Sequence, residues 1–448
     1  MVDMCLIYVS DMAKNKLRNK KRNMKKSLLT ITLALLTAFP ALAQDTLRLS
    51  LADCVDYATS HNLTLQAAAL SRESAAVSTS SAKWNFAPMI SANAGENLNI
   101  QSGGTSLSSN AGVNANMTLF SGLANLRTLQ QSRLSEKQSG LKEQQNRNSV
   151  EVQIVQTYLT MVMNKERLGY QEDVLKTTEA QRDEGRMKYE VGRLLESDYL
   201  LLNANYESAL ANIENTKLTI ENNRVELRNL LNYDGNSVLD VESAENMQLR
   251  TDLAPLDDVV RQAMESMPDM KISDLDVEIA KKNVSISRSS FSPTLGLNAG
   301  ANYYGGSSQM LDQTSGTIVG GGNFSGSVGL NLSIPLLRGN SITQVKQSKI
   351  NLRQAELQRQ QTSVELRKTI ESQYITTKQA QNQYASSQLL KDAYQANYNV
   401  YVLKYNEGAV TTVDMLQQQD RYLSSVNDYL QNKYTYLLDR QILDIYTR

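Results

Sequence analysis

Two hydrophobic periods run along this chain. The first is strict alternation. In 90–100 the apolar residues Ile90, Ala92, Ala94, Leu98 and Ile100 alternate with Ser91, Asn93, Gly95, Asn97 and Asn99, with Glu96 as the exception on the apolar side. In 110–119 Ala111, Val113, Ala115, Met117 and Leu119 alternate with Asn110, Gly112, Asn114, Asn116 and Thr118. The pattern returns in Leu295, Leu297, Ala299, Ala301 and Tyr303, and again in Phe324, Val328, Leu330, Leu332 and Ile334. Period two puts alternate side chains on opposite faces of a strand. Apolar residues facing small polar ones, sustained over about ten residues, mark a membrane barrel strand with lipid on one side and a lumen on the other. Val113, Met117, Leu297, Leu330 and Leu332 are thereby predicted to face lipid.

The second period is seven. Ile154, Met161, Leu168 and Leu175 follow it, as do Ile350, Leu357 and Val364, and Leu416, Leu423, Leu430 and Leu437. Tyr206, Ile213, Ile220 and Leu227 form another such row, matched by Tyr422, Tyr429, Tyr436 and Leu443. Sevens mean near-parallel helices packed knobs into holes. Lys217, Arg224, Lys433 and Arg440 interrupt these rows at matching places and are read as snorkelling side chains. The six prolines leave 89–254, 294–334 and 336–448 free of helix breakers. Long helices are expected over 123–189 and 341–405, each about 100 Å at 1.5 Å per residue. Gly192 and Gly408 end them, and return helices follow over 194–231 and 412–446. Asp198 and Asp414 fall in the first return turn, where an acid suits the helix dipole.

These elements occur twice. Leu51/Leu256, Asp53/Asp258, Phe86/Phe291, Pro88/Pro293 and Asn97/Asn302 coincide at an offset of 205, and Lys188/Lys404, Tyr189/Tyr405, Gly192/Gly408, Asp198/Asp414 and Tyr206/Tyr422 at 216. The change is an insertion in the second glycine-rich loop. Such ordered matching makes the chain two copies of one unit. The division is 1–43 as upstream extension and signal peptide, 44–231 as first repeat with its hairpin at 88–120, 232–254 as connector, and 255–448 as second repeat with its hairpin at 293–335.

The chain of 448 residues carries Lys+Arg 46 against Asp+Glu 46. Zero net charge gives no reason to expect nucleic acid. Met24-Lys25-Lys26, the apolar run Ser27 to Pro40 and the small-x-small site Ala41-Leu42-Ala43 form an export signal, so the mature chain is expected to start at Gln44. No other segment approaches 18 consecutive apolar residues, which excludes a membrane-spanning helix. A soluble sheet would alternate too; four alternating strands in two separated hairpins on an exported chain favour the barrel. His61 is the one histidine and Cys54 the one cysteine left after cleavage. No catalytic constellation, metal cluster or cofactor motif accompanies them. Gly320-Gly321-Gly322 lacks the Lys-Ser/Thr of a phosphate loop. Four strands cannot close a barrel, and edges cannot stay open in lipid. Two chains would give eight strands and a filled pore, three would give twelve and an open one. A tube of long helices continuous with such a barrel would be a pipe.

Helix, hairpin, long helix, glycine turn and return helix, written twice over about 50–446, resembles the TolC-like outer-membrane efflux proteins. Local marks are Leu51-Ala52-Asp53-Cys54-Val55, Leu119-Phe120-Ser121-Gly122, and the tips Lys188-Tyr189-Glu190-Val191-Gly192 and Lys404-Tyr405-Asn406-Glu407-Gly408. The resemblance implies a mainly α fold with membrane β: a homotrimeric α-helical barrel continuous with a 12-stranded β-barrel. It places the protein in the outer membrane of a Gram-negative cell, reaching into the periplasm. It further implies a periplasmic adaptor and an inner-membrane transporter as partners, docked through the tips. Tyr189, Gly192, Leu194 and Asp198, with Tyr405, Gly408, Val410 and Asp414, are the expected docking residues, Leu194 and Val410 as exposed apolar contacts. It also implies a periplasmic constriction before the second tip. There the sequence has no acid between Asp392 and Glu407, and Asn397, Asn399 and Tyr401 are the candidates. The function implied is an efflux or type I secretion channel for small molecules or secreted proteins. A poreless coiled-coil scaffold or adaptor is the alternative, and the four alternating strands argue against it.

Overall fold

The computed structural model describes residues 46–101, 104–242, 252–309 and 320–448. The export signal, the expected mature start at Gln44, the two loop tips and 243–251 lie outside the described residues. The chain forms two units. The small one comprises β1 (Thr46–Leu49) and residues up to Asp240 of β4 (Val238–Val241). These strands pair in a two-stranded sheet, with an ion pair from Arg48 Nε to Asp240 Oδ2 at 3.8 Å. Neither strand carries a hydrophobic period, since four residues are too few for one to register.

The large unit holds everything else described. Its first half runs α1 (Leu51–His61), α2 (Leu63–Trp84), β2 (Met89–Gln101), β3 (Gly104–Ser121), α3 (Ala124–Glu190) and α4 (Glu196–Leu231). Its second half runs α5 (Leu256–Ser266), α6 (Pro268–Ser289), β5 (Thr294–Gln309), β6 (Gly320–Ser333), α7 (Gly339–Asn406) and α8 (Thr412–Thr447). The expected helices stand within a few residues of their predicted bounds. Gly320 to Gly322 open strand β6.

Local chemistry explains the boundaries. Ser50 and Asp53 cap α1 reciprocally: the Asp53 amide donates to Ser50 Oγ at 3.2 Å, and the Ser50 amide donates to Asp53 Oδ2 at 3.1 Å. Those bonds hold the Asp53 carboxyl below its ordinary value. Asn62 closes α1 and caps α2. Pro268 begins α6 at a position where a missing amide costs nothing.

The helices pack laterally in the order α2, α3, α6, α7 beside the sheet, and as α4, α3, α8, α7 towards the glycine tips. One core cluster joins Val259, Val260, Ala263, Met267 and Met270 to Leu366, Ile370 and Leu443, where α5 and α6 meet α7 and α8. Cys54 is buried, and burial pushes its thiol up to about 12, so it is an inert packing residue. His61 ends α1 with its ring stacked on Tyr57 at 4.0 Å.

The interrupting cations divide. Lys217 pairs with Glu214, Arg224 with Glu221 and Arg440 with Asp444, each on its own helix. Lys433 does not snorkel. Its Nζ reaches Glu166 of α3 at 2.8 Å, and the Tyr434 hydroxyl donates to the same carboxylate at 2.7 Å. Seven-residue spacing shows which face a cation shares, but not which acid a neighbouring helix brings to it.

Candidate functional site

Three places carry the residues singled out by sequence: the sheet, the glycine tips and the end of α7. The sheet has the order β2-β3-β5-β6, antiparallel throughout, so both hairpins join into one surface with β2 and β6 as its edges. Register aligns the alternation of all four strands. Ala92 pairs with Val113 and Val113 with Ala301; Met117 pairs with Leu297 and Leu297 with Leu330; Leu295 pairs with Leu332. Val113, Leu330 and Leu332 are exposed, while Met117 and Leu297, on the central strands, are half-buried. One expected position moves. A register shift between Thr118 and Phe120 bulges Leu119 out of the ladder and sets Phe120 opposite Leu295.

Aromatic residues bracket this apolar face. Phe120 lies at the helix end, and Tyr303 pairs with Phe324 towards the loops. From Leu295 to Tyr303 is about 27 Å along the strand at 3.4 Å per residue. Tilted by about 35–45°, that length covers roughly 20 Å, most of the roughly 25 Å apolar band of outer-membrane barrels. Glu96 pairs with Ser109, opposite Gly305, two pairs beyond the aromatic row and on the same face. The unexpected acid therefore sits at the rim of the apolar band.

The opposite face is polar and closely fitted. Asn114 donates from Nδ2 to Asn93 Oδ1 at 2.9 Å. A Cβ on Gly112 would stand 2.0 Å from Asn302 Oδ1, and one on Gly300 would stand 2.7 Å from Asn114 Oδ1. Gly95 lies 3.1 Å from Asn110 Oδ1, and Gly329 lies 3.4 Å from Asn298 Nδ2, by the same measure. Each of these asparagines spreads over the glycine paired with it on the next strand.

The tips share one backbone device. Gly192 has φ +71° and Gly408 φ +74°. The Gly192 amide donates to Tyr189 O at 2.9 Å and Arg193 to Lys188 O at 2.7 Å; Gly408 to Tyr405 O at 2.9 Å and Ala409 to Lys404 O at 2.8 Å close the second turn. A left-handed residue after the helix needs glycine. Nothing lies within 4 Å of a Cβ at either position, so backbone conformation alone requires it.

Around that device the expected docking residues separate. Leu194 and Val410 are not exposed contacts. They pack, with Val402 and Leu416, against a small shared core of Leu202, Tyr405 and Met415. Tyr405 is buried, whereas Tyr189 is exposed and stacks on Tyr199 at 5.5 Å. A turn between two helices leaves one apolar residue inward and its neighbour outward. The outward ones, missed by sequence, are Val191 (68% exposed), Leu195 (70%) and Met187 at the first tip, and Leu403 and Val413 at the second. Adjacent leucines at 194 and 195 carry no periodic signal that could have told them apart.

Asp414 completes a capping box on α8. Its amide donates to Thr411 Oγ1 at 3.1 Å, and the Thr411 hydroxyl and amide donate to its Oδ2 at 2.7 and 3.2 Å. The Thr411 bonds hold its carboxyl below the ordinary value. At the first tip Leu195 occupies the cap position with no side-chain bond, and the Asp198 amide donates to Leu195 O at 3.1 Å.

The constriction candidates do not converge. Asn397 and Tyr401 are four apart on α7 and share a face, while Asn399 lies about 200° round the helix from Asn397 at 100° per residue. Asn397 donates from Nδ2 to Gln418 Oε1 of α8 at 2.9 Å. Tyr401 is half-buried, with Lys404 Nζ 5.4 Å from its ring centre. Asn397 and Tyr401 therefore line one face of α7 and Asn399 another, so the three do not share a surface.

Comparison with known proteins matches residues 259–446 to the family described as outer membrane efflux protein. Among solved structures, the Campylobacter jejuni CmeC outer membrane channel superposes with a TM-score of 0.73 at 20% identity, covering 89% of this chain and 85% of that one. VceC from Vibrio cholerae gives 0.71 at 15% over 89% and 96%. The MtrE channel of Neisseria gonorrhoeae gives 0.68 at 18% over 89% and 88%. They share this fold. A search of curated protein sequences finds no significant match.

Proposed function

We propose that the chain, whose residues 259–446 match the outer membrane efflux protein family, works as the outer-membrane channel subunit of a tripartite efflux system, three copies forming one duct. The observation that carries this reading is a joint inside the chain whose two halves recur, unpartnered, at its edges. The joint is α3 against α6. Arg127 bonds Ser285 O and Ser289 Oγ at 2.8 and 2.7 Å, and Lys282 bonds Gln130 at 2.8 Å. Gln138 bonds Asp276, and Gln145 bonds Asp269, each at 2.6 Å.

Moving each side by its repeat offset sets α7 against the α2 of another copy. Trp84 then meets Thr343, Val77 meets Lys346, Ser71 meets Gln354 and Thr64 meets Gln361. Along those levels α2 exposes Leu63, Leu70, Val77 and Trp84, seven apart, and α7 exposes Ile342, Ile350, Leu357 and Val364. Two unpartnered apolar rows at matching heights fit a head-to-tail interface that closes into a ring. The same operation pairs the β6 edge with a neighbour's β2. Three copies then make a 12-stranded barrel with the apolar face to lipid, continuous with an α-helical barrel in the periplasm. The cargo is a small toxic molecule or a secreted polypeptide. A periplasmic adaptor, joined to an inner-membrane transporter, docks on the exposed residues Val191, Leu195 and Val413.

Oxidising the Val77→Cys/Lys346→Cys double variant in outer membranes tests the ring. Covalent ladders ending at three chains are expected; a ladder ending at two, or no cross-linking, would sink it. Val191→Asp with Leu195→Asp should keep trimers and lose export.

A further inference from the structure

The polar face of the sheet, taken across all four strands, carries no charged side chain among the described residues. Its rows run Ser91-Asn114-Gly300-Ser327, Asn93-Gly112-Asn302-Ser325, Met89-Asn116-Asn298-Gly329 and Gly95-Asn110-Tyr304-Asn323. Each row contains a glycine, and the paired asparagines of Gly95, Gly112, Gly300 and Gly329 are the ones that lie across them. A neutral hydroxyl or amide surface could arise from any small polar residues. The pairing with glycine adds a consequence. An asparagine beside a bulkier neighbour must stand away from the sheet. Here each amide lies down into the space a missing Cβ leaves, as the 2.0 Å approach of Asn302 to the Gly112 position requires.

On the reading that this face lines the pore, we infer that the barrel segment is an exit without charge selectivity, lined by flat amides and wide because of its glycines. Flat amides present both carbonyl acceptors and NH2 donors, so cationic, anionic and zwitterionic solutes find equal solvation there. Fixed charge of one sign would instead concentrate one class of ion and repel the other. The exit therefore suits cargo of mixed charge, and selection by charge belongs to the helical segment or the pump.

The test uses Ser327→Cys in the full-length trimer, in intact outer membranes. It is modified from outside by a cationic and by an anionic methanethiosulfonate of similar size. Each rate is divided by that for a free thiol in solution. The expected cationic-to-anionic ratio is within about threefold of one, the size of effect a single charge exerts at roughly 6 Å in water. Adding Asn302→Asp should raise that ratio severalfold. A ratio above about tenfold without the added aspartate would overturn the inference while leaving the lumen assignment standing. Failure of both reagents at Ser327, with ready modification of Val328→Cys by them, would overturn the assignment and the inference together.

Discussion

The two glycine tips are built on the same backbone and finished differently. Gly192 and Gly408 have nearly equal φ and the same pair of closing bonds. Yet Tyr189 is exposed where Tyr405 is buried, and Leu195 leaves its helix uncapped where Thr411 forms a capping box. The helix pairs behind them differ in the same sense. Lys217 meets an acid on its own helix, whereas its counterpart Lys433 crosses to Glu166. Asn223 accepts a bond from Asn164, whereas its counterpart Asp439 is buried with one carboxylate oxygen unbonded. Duplication preserved the turn, because only a left-handed residue can make it. It released the surroundings, because the second return helix packs between α7 and α3, whereas the first lies mainly against α3 and touches α1 and α8 only slightly.

The largest break in this comparison should come at the cations. Glu166→Gln leaves Lys433 and the Tyr434 hydroxyl without their carboxylate in a half-buried site. It should cost about 2 kcal/mol, between a surface pair and a buried one. Lys217→Ala, at the equivalent position, should cost under about 0.5 kcal/mol. Thermal unfolding of the purified protein measures both, and equal shifts would contradict the asymmetry. Gly192→Ala and Gly408→Ala sharpen the opposite claim, since the shared device predicts equal losses of about 1–2 kcal/mol each. An unequal pair would show that one turn is relieved by its surroundings. Next comes Thr411→Ala, expected to cost about 1 kcal/mol, while Leu195→Ala removes no cap.

The gentlest change concerns Asp439. Burial raises its pKa against a bond from Gln373 that lowers it. A carboxyl whose folded pKa lies above its unfolded value binds its proton more tightly when folded. Its penalty is therefore present above the folded pKa and relieved as pH falls towards the ordinary carboxylate range. Asp439→Asn, which restores the first repeat's residue type, should raise stability near neutral pH and flatten this part of the pH dependence. Melting temperature from pH 4 to 7 reads it; a variant that parallels the wild type would remove Asp439 as the source.

Most of the architecture was legible beforehand because the signals were long. Ten residues of alternation define a strand face whatever lies next to it, and a 67-residue helix without proline cannot be mistaken for loops. The sites were less legible. Leu194 and Val410 were expected outward and pack inward, since a turn has no period. Asn399 was grouped with Asn397 by proximity in sequence, but helical rotation separates them. Leu119 yielded its place to Phe120 because a bulge shifts register by one residue, which alternation alone cannot foresee.

The sequence by itself determined the duplicated plan, the strand faces, the long helices and the glycine turns. These depend on backbone preference and on periods, which are properties of a segment taken alone. Only the tertiary structure decided that the two hairpins share one sheet through β3 and β5. It alone joined the tips in one small core at Leu202, Tyr405 and Met415, gave Lys433 its acid on another helix, and laid Asn110, Asn114, Asn298 and Asn302 over glycines of the next strand. Those facts concern residues far apart in the chain, and their distance is set by packing, which no local pattern records.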